Sequence, residues 1–137
     1  MSKEEVSVMA NQPKVLVVDD DENILSAFQE FLGREHCTVI SSPGAEDALV
    51  TLSHVRVSLV ITDIRMRWRS GVTLLMRIKQ SHPALPVIVI TGYPNLVSEA
   101  DLRHFGAEYF FVKPLELDQL RSAVRDCLSR DSLSKNF

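Results

Sequence analysis

The run Lys14-Val15-Leu16-Val17-Val18-Asp19-Asp20-Asp21 constrains this chain more than any other stretch. Val15 to Val18, with Lys14 before them, read as a short strand that is apolar throughout. Such a strand suits a position covered on both faces of a sheet. It then stops on three consecutive carboxylates. Acids at the C-terminal end of a parallel strand stand on the rim where open α/β folds bind their ligands. Two like charges about 4 Å apart repel by roughly 1 kcal/mol in water, and by about 4 kcal/mol at an effective dielectric of 20. Crowding acids there calls for a cation or a proton, so the run points to a divalent-metal site at a strand end.

The rest of the chain repeats the pattern. Ile24, Phe28, Phe31 and Leu32 recur at helical spacing, and Gly33 is a natural stop. Cys37 to Ile40 reads as a second strand, Ser41 to Gly44 as a loop, and Ala45 to Leu52 as a short helix. Val57 to Thr62 is a third strand and again ends on an acid, Asp63. An irregular loop over 64–71 leads to a helix marked by Leu74, Leu75 and Ile78 and closed by His82-Pro83. Pro86 to Ile90 is a fourth strand, ending on Thr91-Gly92. A helix is expected over Asn95 to Phe105, then a fifth strand over Tyr109 to Val112 that ends on Lys113-Pro114. Leu117, Leu120, Val124 and Leu128 give a last amphipathic helix. Strand and helix therefore alternate five times, which argues for an α/β fold, a parallel sheet covered by helices on both faces.

A chain of 137 residues suits one compact domain. The expected division is a leader over 1–13, the folded domain over 14–130 and a tail over 131–137. A net charge of −3 argues against direct nucleic-acid binding, which wants a basic face. No apolar run approaches the roughly 20 residues of a membrane span, and the N-terminus lacks a signal-peptide core. Cys37 and Cys127 fall in apolar segments and read as buried free thiols of a reducing compartment. Together these features lead to the expectation of a cytoplasmic protein. His36, His54, His82 and His104 share no metal-ligand spacing.

The polar residues collect at one place. Asp19 and Asp20 end the first strand, Asp63 the third, Thr91 the fourth and Lys113 the fifth. In a parallel sheet these ends share an edge, so residues distant in sequence converge on one pocket. Carboxylates with open coordination suit Mg²⁺, which binds one or two of them, keeps waters and takes substrate phosphate oxygens. A carboxylate can also attack phosphorus and become an aspartyl phosphate. A hydroxyl and an ammonium can hold the phosphoryl oxygens.

In these residues the chain resembles the receiver domains of two-component response regulators, over about residues 14 to 130. The matching motifs are Val17-Val18-Asp19-Asp20-Asp21, Asp63, Ile90-Thr91-Gly92 and Val112-Lys113-Pro114. The resemblance implies a doubly wound (βα)5 flavodoxin-like fold with five parallel strands in the order 2-1-3-4-5. It implies that Asp63 is the phosphoacceptor, served by a phosphohistidine of a sensor kinase or phosphotransfer protein. Asp20, Asp63 and the backbone carbonyl of Arg65 would ligate Mg²⁺, for which Mn²⁺ can substitute, with Asp19 helping through water. Lys113 would pair with the carboxylate and then with the phosphoryl group, and Thr91 would swing to bond it. Phe110 would turn inward with Thr91, and the face of the fourth helix, fifth strand and fifth helix would change shape to select a partner or a weak dimer. Gly92 and Pro114 are structural at the site in this scheme. Arg65 and Tyr93 stand where the family modulates phosphoryl lifetime. The protein would catalyse only its own phosphorylation and slow dephosphorylation, as a stand-alone regulator or as a receiver cut from a longer one.

One departure stands out. Met66 is followed by Arg67, where the family often has proline, and Arg65, Arg67 and Arg69 surround Trp68. This loop reads either as a solvated segment or as a contact whose arginines attract an acidic partner or a phosphate, with Trp68 packing there. An alternative function is a phosphohydrolase of the haloacid-dehalogenase type with Asp19 as nucleophile. That motif pairs Asp19 with Asp21 and then wants a threonine near Asn23, which is absent.

Overall fold

The computed structural model describes residues 12–64, 71–95 and 97–135, the last five by backbone alone. The leader up to residue 11 and the loop over 65–70, with Arg65 and Trp68, lie outside the described residues.

Five strands and five helices alternate along the chain. In order they are β1 (Lys14–Val18), α1 (Glu22–Arg34), β2 (Thr38–Ser42), α2 (Ala45–His54), β3 (Leu59–Asp63), α3 (Gly71–Ser81), β4 (Val87–Thr91), α4 (Glu99–His104), β5 (Tyr109–Val112) and α5 (Leu117–Lys135). The strands form one sheet in the order β2-β1-β3-β4-β5, and every pair is parallel. Apolar runs without alternation occupy the middle of the sheet: β3 and β4 are buried at every position, and β1 at every position after Lys14. Alternate residues of these strands feed two cores. Leu16, Val18, Val60 and Val89 pack with Ala48 of α2, Leu74 and Ile78 of α3, and Leu102 of α4. Val17, Ile61, Ile88 and Ile90 pack with Phe28 and Leu32 of α1 and with Leu120 and Val124 of α5. Each such side chain contributes about 1.5–3 kcal/mol by leaving water. Truncating the fully buried Ile78 to alanine would cost about 2–5 kcal/mol.

Several boundaries differ from expectation. Helix α1 passes Gly33 and ends at Arg34; the left-handed position falls on His36 (φ 60), and the Glu35 and His36 amides close the last turn on Leu32 and Gly33. Histidine is among the few residues that tolerate this region. Strand β2 runs on through Ser41 and Ser42, because it is held by main-chain pairing to Val17 and Val18. An edge strand needs no apolar side chains for that pairing. Strand β3 starts two residues later than expected and includes Asp63, opposite Ile90. Helix α4 begins only at Glu99, because Ser98 caps it by accepting the Asp101 amide at 3.0 Å. Helix α5 continues through Lys135, beyond the expected start of the tail at 131.

Candidate functional site

The C-terminal ends of β1, β3, β4 and β5 meet on one edge. Asp21 caps α1 through its side chain, which accepts the Asn23 amide at 2.9 Å. The tight turn this creates aims the Asp21 amide at Asp19, whose Oδ1 accepts it at 2.9 Å. Asp19 is thereby fixed in a buried position, 4% exposed. Asp63 is also buried, whereas Asp20 is exposed. Lys113 reaches across from β5. Its Nζ donates to Asp63 Oδ2 at 2.8 Å and stands 3.7 Å from Asp19 Oδ2. One ammonium thus serves two carboxylates from different strands.

The electrostatics follow from this packing. Burial pushes Asp19 up from 3.8 to about 6. The Asp21 amide and the Lys113 charge oppose that rise, while Asp63 and Asp20 add to it. For Lys113, burial disfavours the ammonium, but the hydrogen bond to Asp63 and the charges of Asp63 and Asp19 outweigh it. The net shift is upward, so the charged form is secured at neutral pH.

Thr91, the last residue of β4, is fully buried. Its Oγ1 accepts the Tyr93 amide at 2.8 Å, and its carbonyl accepts the Lys113 amide at 2.8 Å. Tyr93 itself is 52% exposed on the rim. Phe110 is half-buried against the core that includes Leu102 of α4. The Lys113-Pro114 bond is cis. Gly92 is not sterically required: a Cβ there would meet only Lys113 Cδ, at 3.8 Å. Gly71 is required, because a Cβ on it would overlap the Asp63 carbonyl oxygen and lie 2.9 Å from Ile64 Cα. This close approach of α3 to the end of β3, and the Asp21 amide that orients Asp19, are the parts of the site that residue types alone do not reveal. Arg65, expected to lend its carbonyl and its side chain, lies outside the described residues.

The described residues fit Mg²⁺ as an open site. No group of three His, Cys, Asp or Glu side chains among them forms a metal-holding cluster. Mg²⁺ does not need one, since it binds through one or two carboxylates with waters and phosphate oxygens. Buried Asp19 and Asp63 supply hard carboxylate oxygens, and two acids that share the one Lys113 ammonium keep an excess of negative charge that such an ion would offset. A cleft of about 510 Å³ at the opposite edge, lined by Leu52, His54, Arg56, Val57, His82 and Leu85, contains none of these groups.

Fold and site together define a class: doubly wound α/β proteins whose parallel strand ends carry an acidic pair, a buried aspartate, a hydroxyl and a lysine. The family model of the response regulator receiver domain matches residues 15–125, and the chain belongs to that family. It is 34% identical over 117 residues to the C4-dicarboxylate transport transcriptional regulatory protein DctD of Rhizobium meliloti, covering 85% of this chain and 25% of that protein. It is 31% identical over 115 residues to the DNA-binding transcriptional regulator NtrC of Salmonella typhimurium, covering 84% and 24%. The chain thus spans about a quarter of the length of these relatives. Among solved structures, the receiver domain of NtrX from Brucella abortus superposes with a TM-score of 0.78 at 31% identity, covering 84% of this chain and 98% of that one. The response regulator TrrA from Thermotoga maritima, solved in complex with Mg²⁺-BeF, gives a TM-score of 0.78 at 29% identity, covering 85% and 100%.

Proposed function

We propose that this domain accepts a phosphoryl group on Asp63 from a phosphohistidine of a sensor kinase or phosphotransfer protein. An Asp63 carboxylate oxygen attacks phosphorus, the P–N bond breaks, and the imidazole leaves with the electron pair. Asp20 and Asp63, with Asp19 through water and the Arg65 carbonyl, would hold Mg²⁺ or Mn²⁺. Bound there, the ion would neutralise charge on the transferring phosphoryl oxygens. Lys113 releases part of its hold on Asp63 to pair with the new phosphoryl oxygens. Thr91 donates its hydroxyl to one of them, and Phe110 follows it inward to reshape the face of α4, β5 and α5. Tyr93 and Arg65 shield the acyl phosphate and lengthen its life. The partner on the reshaped face is a protein or a second copy of the chain. The net charge of −3 favours protein contact over direct nucleic-acid contact by this domain. We place the receiver from residue 14 through the last helix, and the protein in the cytoplasm. No helix among the described residues is long and apolar enough to cross a membrane.

The observation that carries this reading is the 2.8 Å pair between Lys113 Nζ and Asp63 Oδ2, with Asp19 3.7 Å away on the same ammonium. It supplies an acceptor carboxylate, a cation to hold it and a second acid beside it. No comparable observation favours Asp19 as a nucleophile. Peptide mass spectrometry after treatment with acetyl phosphate and Mg²⁺ tests the assignment. Phosphate on Asp63 is expected; phosphate on Asp19 would favour the phosphohydrolase instead.

A further inference from the structure

Thr62, the next-to-last residue of β3, is a hydroxyl buried in the middle of the sheet. Its neighbours across the sheet are Val18 of β1 and Val89 of β4, both part of the core that α2, α3 and α4 cover. Val60 and Ile64, two residues to either side of it, belong to the same core. Valine has nearly the shape of threonine, so packing alone gives no reason for an oxygen at this point. Burying a hydroxyl without a partner costs free energy. The Thr62 hydroxyl has a partner: it donates to the carbonyl oxygen of Asp63 at 3.0 Å. That carbonyl belongs to the residue whose carboxylate accepts the Lys113 ammonium at 2.8 Å.

From this geometry we infer that Thr62 is a positioning residue: its hydroxyl fixes the Asp63–Ile64 peptide, and through it the direction in which the Asp63 carboxylate leaves β3. The inference rests on the phosphoacceptor reading above and deepens it. Asp63 is the last residue of β3, where regular pairing with β4 ends, so a side-chain donor can set how its peptide lies. Both polar atoms of that peptide are held. The Ile64 amide donates to the Ile90 carbonyl at 3.0 Å, and the Asp63 carbonyl takes the Thr62 hydroxyl. Gly71 packs so closely on the same oxygen that a Cβ there would overlap it, and the Gly71 amide donates to the next carbonyl, that of Ile64. Asp63 is thus set by its backbone from one side and by the Lys113 ammonium from the other. A tilt of the peptide would carry the carboxylate away from its line of attack, and small misplacements of a reacting group lower rates steeply.

The test removes the hydroxyl and keeps the shape. Uptake of phosphate from acetyl phosphate with Mg²⁺, followed by intact-protein mass spectrometry, gives a rate constant for each variant. Urea denaturation gives the stability of the same variants. Thr62→Val is expected to slow uptake by about 2- to 10-fold, the factor that one neutral hydrogen bond supplies. Thr62→Ser keeps the hydroxyl and loses a buried methyl group, so it is expected to be less stable than wild type while taking up phosphate at close to the wild-type rate. Rate and stability then fall in different variants, which a purely structural role does not produce. Thr62→Ser against Thr62→Ala repeats the comparison in a smaller side chain, so the test stands even where Thr62→Val does not fold. Equal rates within either pair, or rates that follow stability across the variants, would overturn the positioning role and leave the phosphoacceptor reading intact. Wild-type protein that carries its phosphate on a residue other than Asp63, or takes up none, would overturn that reading and this role with it.

Discussion

Asp19→Asn offers the sharpest test of the electrostatics at this edge. Asparagine keeps the shape of Asp19 and keeps an oxygen for the Asp21 amide, which Asp19 Oδ1 accepts at 2.9 Å. It removes the charge and replaces Oδ2, which stands 3.7 Å from Lys113 Nζ, by an amide nitrogen. Burial raises Asp19 from 3.8 to about 6. At 1.36 kcal/mol per pH unit, that rise corresponds to about 3 kcal/mol of cost for ionising the residue in the folded protein. The folded pKa lies above the unfolded one, so the folded state binds more protons between about pH 4 and pH 6. Through Asp19, stability therefore falls as pH rises across that window, and the penalty is complete above about 6. Asp19→Asn should recover about 2–3 kcal/mol at pH 7.5, or roughly 5–10 °C in Tm for a domain of this size. The gain should shrink toward zero at pH 4. The assay is thermal denaturation followed by circular dichroism, in EDTA, from pH 4 to pH 8. A variant that melts no higher than wild type at pH 7.5, or one whose advantage is as large at pH 4, would refute the reasoning.

Three other outcomes are expected. Mg²⁺ should raise the wild-type Tm by mass action, by about 2.7 kcal/mol of stability at 100 times its Kd, and Asp20→Asn should blunt the rise; a differential scan with and without the ion measures both. Gly71→Ala should cost about 1–3 kcal/mol and slow phosphate uptake from acetyl phosphate, because the new Cβ meets backbone atoms of Asp63 and Ile64 that cannot yield cheaply. Cys37 and Cys127 should resist iodoacetamide at pH 8 until denaturant is added. Burial pushes their thiols up to about 11 and about 12, and only the thiolate reacts.

The sequence disclosed most of the sheet because its central strands carry unbroken aliphatic runs. Val15 to Val18 and Val87 to Ile90 could be placed from residue types alone, and the edge strand Tyr109 to Val112 from its aromatic residues. It pointed to the strand-end cluster because acids, a hydroxyl and an amine follow the strands directly, and parallel strands bring such ends together. Features held by main-chain geometry were hidden. Ser41 and Ser42 look like a loop yet pair with β1 through backbone alone. Gly33 looks like a helix stop, while the left-handed turn falls on His36. The Tyr93 amide on Thr91 and the fit of Gly71 against Asp63 depend on how the chain turns after a strand, which no residue pattern states.

The most direct test of the central claim is a crystal structure of the domain with Mg²⁺ and beryllofluoride. Beryllium bonded to an Asp63 carboxylate oxygen, with Lys113 Nζ and Thr91 Oγ1 both within hydrogen-bond distance of its fluorides, is the expected result. Beryllofluoride on any other carboxylate, or bound to Asp63 with Lys113 turned away, would contradict it.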